Sequence, residues 1–173
     1  MARTIELRRH TDDDGDALSD EGVRDALEVG GRLEGGYDVL ASSGAQRATQ
    51  TLGCFLAALG ETVEGGVVVE PALRSEVEDR WKAAAKEAGG GELDSLEQAD
   101  SELVRDDSGA LAQGLRSLLD RLPEDGRALA VGHSPTNEAA VLGLTGERLE
   151  PMGKGEGVVI VAEGDDFRVE AVE

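Results

Sequence analysis

The chain has one cysteine, two histidines and aromatic residues at only 2% of its 173 positions, and each scarcity removes a class of protein. A lone cysteine excludes an internal disulfide and points to a reducing compartment. Cys54 falls among the apolar positions of an expected helix, so it reads as a buried structural thiol. With two histidines and one cysteine, none at ligand spacing, no metal site and no cofactor are expected. Long apolar runs are missing too. Nothing approaches about 18 consecutive apolar residues, and the N-terminus is polar by Arg3. Neither a membrane span nor a secretory signal is expected, and the reading places the chain in the cytoplasm.

Positive charge is also scarce. Seventeen basic residues face 37 acidic ones, for a net charge of −20, and only Lys82, Lys86 and Lys154 are lysines. Such a field repels polyanions, so nucleic acid and anionic membrane are excluded as partners. The acidic surface reads as a solvated face that keeps the chain soluble, and its poverty in lysine fits a salt-adapted or high-GC source. The sequence assigns no oligomeric state.

What remains is aliphatic. Hydrophobic residues make up 39% of the chain and are mostly Ala, Val and Leu. The length suits one domain, residues 1–173, whose core packs aliphatic helices on aliphatic strands, an α/β layering. Thr4 to Arg8 reads as a strand ending at Arg9-His10, followed by the acidic loop TDDDGDA. Ser19 is an expected N-cap with Asp20 and Glu21 in the first turn, and Val23, Ala26, Leu27, Gly30 and Leu33 recur at helical spacing. Tyr37 to Ala41 reads as a second strand; Ala48, Leu52, Phe55, Leu56 and Leu59 form a helix face from near Ala45. Val67 to Val69 is a third strand, closed by Pro71.

The charged region 74–107 reads as a small helical cap over the sheet. Leu111, Leu115, Leu118, Leu119 and Leu122 form another helix face, and Ala128 to His133 a buried strand. Val158 to Ala162 and Phe167 to Val172 close the chain as an antiparallel edge hairpin. Both histidines therefore end strands. Ligands of open α/β sheets sit beyond the carboxyl ends of the strands, so His10 and His133 are placed to converge there.

Singly, these residues have plain structural readings. Arg47 suits a helix, His133 could be a satisfied core histidine, Arg9 could lie on the surface, and Arg8 is either a surface arginine or a salt-bridge partner. Gly132 to Thr136 approaches the G-x-S-x-G nucleophile elbow. It fails because Thr136 replaces the last glycine and no histidine follows His133.

Together, LRRHT, LSDEGVRDA, ASSGAQRATQT and AVGHSPTNEA, in that order, resemble the motifs of the histidine phosphatase superfamily, the phosphoglycerate-mutase-like fold. The resemblance implies a three-layer α/β/α open, mostly parallel sheet and a phosphatase working through a phosphohistidine enzyme intermediate. It implies His10 as nucleophile, with Arg9, Arg47 and His133 holding the phosphoryl oxygens. Guanidinium forks at fixed positions suit the charge spread over a transferring phosphoryl group. Thr11 stands where the family has glycine, with a hydroxyl that could donate to phosphate; Gly44 and Ala45 replace Pro-Leu.

The family's glutamate acid falls, by alignment on Leu73 and Trp81 in PALRSEVEDRW, on Ser75. Glu76, one residue late, is the acid candidate, with Glu78 or no residue as alternatives. A P–O ester needs that proton, worth about 10²–10⁴-fold in rate. Expulsion of imidazole, of pKa about 6.5, needs it less. In length and wording the chain is most similar to SixA-type members that act on phosphohistidine proteins. The expected partner is therefore a phosphohistidine protein, ahead of a phosphorylated small molecule. A member that binds phosphorylated ligands without turnover is the alternative.

Overall fold

The computed structural model describes residues 1–172. A six-stranded sheet has the order β5-β4-β6-β1-β7-β8. Its strands are β1 (Ala2–Arg9), β4 (Val39–Ser42), β5 (Val67–Val69), β6 (Arg127–Gly132), β7 (Gly157–Glu163) and β8 (Asp166–Val172). The first four are parallel, whereas β7 runs antiparallel to β1 and pairs with β8 as the expected edge hairpin. Two short strands, β2 (Asp13–Asp14) and β3 (Ala17–Leu18), fold the acidic loop back on itself around Gly15, whose φ of 69° suits a residue without a side chain.

Strand alternation divides the core into two layers. Leu40, Leu129 and Val131 face α1 (Asp20–Gly30) and α2 (Gln46–Leu59). Ile5, Leu7, Ala41, Ala128 and Ala130 face the other layer, α3 (Glu78–Ala88), α4 (Leu93–Ala99), α5 (Ser101–Arg121) and α6 (Thr136–Thr145). This is the three-layer α/β/α architecture expected. Trp81, Ala84, Leu93 and Leu96, from the region read as a cap, share one buried cluster with α5 and the sheet. α5 itself begins at Ser101, inside the segment 74–107.

Two local expectations change, and for Arg8 the salt-bridge reading is the one that holds. Val23 and Leu27, expected on the buried face of α1, are 38% and 42% exposed, and the buried stripe is Gly22, Ala26, Val29 and Gly30. The helices meet through small residues: a methyl group on Gly30 would stand 2.8 Å from the Phe55 Cα. Cys54 is half-buried rather than buried, with burial raising its thiol pKa. Arg8 is buried: its Nε donates to Glu6 Oε2 at 2.7 Å and its Nη1 to the Gly155 carbonyl at 2.8 Å. Among the described residues no helix is long and apolar enough to cross a membrane.

Candidate active site

Register brings the two histidines together. β1 and β6 are parallel neighbours with Arg9 opposite Gly132, so the next residue on each strand is a histidine. The His10 N–H donates to the Gly132 carbonyl at 3.0 Å, and the two rings meet edge-on with centroids 5.3 Å apart. Gly132 leaves room there for Asn137, whose Oδ1 would lie 2.4 Å from a Cβ at this position. Asn137 in turn donates to the Arg8 carbonyl at 3.1 Å, tying α6 to β1. On the far side of β6, β4 ends at Ser42, Ser43 follows, and the first turn of α2 then carries Arg47 into the same place.

His10 has its tautomer fixed. Its Nδ1 lies 2.8 Å from the Thr11 carbonyl, which can only accept, so Nδ1 carries the proton and Nε2 keeps its lone pair. Burial, opposed by the Thr11 carbonyl and Asp13 and assisted by Arg47 and Arg9, lowers its pKa. The ring is therefore held neutral, as a nucleophile must be. His133 is fixed in the opposite sense. Arg47 Nη2, a donor only, faces its Nδ1 at 3.3 Å, so its Nε2–H donates to Ser43 Oγ at 2.7 Å. Burial, with help from Arg47 and His10, pushes His133 down to about 3.

The two arginines are supported unequally. Arg9 Nη1 donates to the Met152 carbonyl at 2.9 Å, while its buried Nε has no partner among the described residues. Arg47 Nη1 donates to Asp16 Oδ1 at 2.7 Å, and the same carboxylate accepts from the backbone amides of Gln46 and Arg47. Asp16 thus takes the donors that open α2, a position suited to an anion. The sequence reading assigned it no role, because its only local signal is one more aspartate in an acidic loop.

The structure gathers His10, Arg9, Arg47 and His133 but not the other two candidates. The Thr11 hydroxyl is fully buried and donates to the Gly22 carbonyl at 2.8 Å, and the Thr11 amide donates to Thr51 Oγ1 at 3.2 Å. Its role is to hold the loop after His10, so the expectation that it donates to phosphate is replaced. Glu76 is exposed and lines a depression with Glu70, Pro71 and Asp107, away from the histidines. The segment turns there: Ser75 is buried with its hydroxyl on Asp107 Oδ2, and α3 starts only at Glu78.

Glu78 is the glutamate that reaches the cleft. A cavity of about 210 Å³ is lined by Arg47, Glu78, Trp81, Lys82, His133 and Ser134, among others. Arg74 Nε donates to Glu78 Oε1 at 2.6 Å, and chiefly this bond holds the carboxyl below its ordinary range. Among the described residues no three His, Cys, Asp or Glu side chains gather as a metal site.

The loop after His10 rests on a glycine contact that can be tested. A Cβ on Gly22 would stand 1.9 Å from the Asp12 carbonyl oxygen. Alanine gains about 1 kcal/mol of helix propensity over glycine, but overpacking against backbone costs about 1–3 kcal/mol and moves the loop. Gly22→Ala should therefore lower both the urea midpoint and kcat; a stabilised, fully active variant would show that the loop is not locked at this contact.

A family model of the histidine phosphatase superfamily (branch 1) matches residues 3–170. Among solved structures, the fold superposes on YhfR of Bacillus stearothermophilus with a TM-score of 0.72 and 19% identity, covering 98% of this chain and 96% of that one. A mycobacterial glucosyl-3-phosphoglycerate phosphatase gives 0.68 and 17%, over 98% and 97% of the two chains. The protein histidine phosphatase SixA complexed with tungstate gives 0.64 and 16%, over 96% and 94%. No curated protein matches the sequence. With its two strand-end histidines meeting across one register step and the family model spanning nearly its whole length, the chain belongs to branch 1 of the histidine phosphatase superfamily.

Proposed function

We propose that this protein is a metal-independent phosphatase that takes a phosphoryl group onto His10 Nε2 and hydrolyses it with water, and that its substrate is a phosphohistidine protein. The observation that carries the reading is the fixed tautomer of His10: a neutral ring with Nδ1–H on the Thr11 carbonyl and Nε2 free, beside His133 and Arg47. Arg9 and Arg47 supply charge for the equatorial oxygens, and the phosphoryl group competes with Asp16 for Arg47.

The substrate preference is supported by the state of the cleft carboxylate. Glu78 is kept ionised by Arg74 and so carries no proton to give a leaving alkoxide. Phosphohistidine needs no such donor, because its ring leaves as neutral imidazole once solvent has protonated the far nitrogen.

The test compares kcat/KM, in EDTA, for a phosphohistidine-bearing protein and for a simple alkyl phosphate. We expect the former to be higher by about 10²-fold or more, the range that a missing general acid spans. Preference for the alkyl ester contradicts the substrate assignment. Loss of activity in EDTA contradicts metal independence, and stoichiometric binding without turnover favours a phosphate-binding role.

A further inference from the structure

The first turn of α6 carries a carboxylate that the phosphoryl-binding set does not use. Glu138 is completely buried. Its Oε2 accepts from the Ser134 hydroxyl and, at 3.5 Å, from the Met152 amide, whereas Oε1 has no partner among the described residues. Burying a carboxylate with half its capacity unmet is costly, and packing alone gives no return for it. Ser134 connects it to the reaction. This serine follows His133 directly, is half-buried, and lines the cleft beside Arg47, His133 and Glu78. It has the buried carboxylate on one side and the cleft on the other.

We infer that Ser134 and Glu138 form a proton relay that activates the water attacking phospho-His10. The inference rests on the phosphatase reading above. As the water oxygen bonds to phosphorus, its proton passes to Ser134 Oγ and the Ser134 hydroxyl proton passes to Glu138 Oε2. The bond between phosphorus and His10 Nε2 breaks, its electron pair returns to the ring nitrogen, and orthophosphate departs. Glu138, left protonated, returns its proton to solvent through Ser134 and the cleft.

The chemistry of the two half-reactions makes such a base useful. Neither the substrate imidazole nor His10 needs an acid to leave, but water is a poor nucleophile until its proton is removed. The hydroxyl already donates inward to the carboxylate, so its oxygen is free to accept from water. Glu78 shares the cleft but is tied to Arg74 and is the weaker base. Burial pushes Glu138 up to about 7, against the Ser134 hydrogen bond, its own and the Met152 amides and the field of Arg9 from β1. A base that titrates near the working pH is the effective kind.

Rapid-quench single turnovers with radiolabelled phosphoimidazole separate the two half-reactions. In Glu138→Gln and in Ser134→Ala, label should reach His10 within about threefold of the wild-type rate but leave it about 10²-fold more slowly. A structural role would slow both steps together, and that result overturns the relay. So does decay that ignores both substitutions while the wild type turns over. Absence of label in every form, wild type included, overturns the phosphatase reading and the relay with it.

Discussion

Replacing His10 with alanine should lower turnover by roughly 10⁴-fold or more, the order lost when a covalent nucleophile is removed, and leave the circular dichroism spectrum unchanged. The ring is enclosed, at 6% exposure, yet the backbone it hangs from is fixed independently by the His10 N–H on the Gly132 carbonyl. Truncation leaves the Thr11 carbonyl without its donor, a loss of about 1–3 kcal/mol. That is too little to unfold a domain of ordinary stability.

In the wild type, the half-reaction that carries phosphate onto His10 has a defined pH signature. On the proposed mechanism only neutral His10 attacks, so the rate of that step rises with pH through its folded pKa, and burial places that value below 6.5. The acid limb should fall on the low side of 6.5 and should not shift to the high side when salt is added. Retained activity in His10→Ala, or an acid limb above 6.5 for phosphorylation of the wild type, would remove the mechanism.

Replacing Arg8 with alanine should destabilise the fold by about 3–5 kcal/mol, the range for breaking a buried ion pair from one side. Glu6 and Arg8 lie on the same face of β1, two residues apart, both nearly inaccessible. Tyr37 Oη donates to Glu6 Oε1 at 2.9 Å, and this carboxylate raises the Tyr37 pKa in addition to the effect of burial. Without Arg8 the Glu6 charge faces an apolar layer and a phenol. At a urea m-value of about 1–3 kcal/mol/M, the midpoint falls by one molar or more. The double variant Glu6→Leu with Arg8→Leu should recover much of the loss, because a well-packed apolar pair is often as stable as a buried ion pair. A single Arg8→Ala variant with an unchanged midpoint would show that the pair is hydrated and adds nothing to the fold.

Arg8 also marks the boundary of what was legible in the sequence. Alternation along β1 is plain in Ile5 and Leu7, and the positions of His10 and His133 at strand ends follow from two short apolar segments. Whether Arg8 met solvent or a carboxylate depended on Tyr37 lying across β1, which no local pattern encodes. Helix α1 was found by its Ser19 cap, whose hydroxyl accepts from the Gly22 amide, but its buried face was misassigned. There, apolar character does not mark burial, because close helix packing selects glycine and alanine.

His10, Arg9, Arg47 and His133 were legible because each sits inside a motif. Glu76 was misplaced because one turn before α3 decides which glutamate faces the cleft, and turn geometry at Ser75 depends on a distant partner, Asp107. Glu138 lay in plain view in AVGHSPTNEA. Its burial, and so its chemistry, follows from the packing of α6 on the Met152 segment.

The most direct test of the account is to find where phosphate is carried during turnover. Wild-type protein quenched in alkali during the reaction and mapped by mass spectrometry should carry an acid-labile phosphate on His10, with His133 unmodified and no label in His10→Ala. Phosphate on His133, an acid-stable phosphoserine, or turnover with no phosphorylated residue at any time would contradict it.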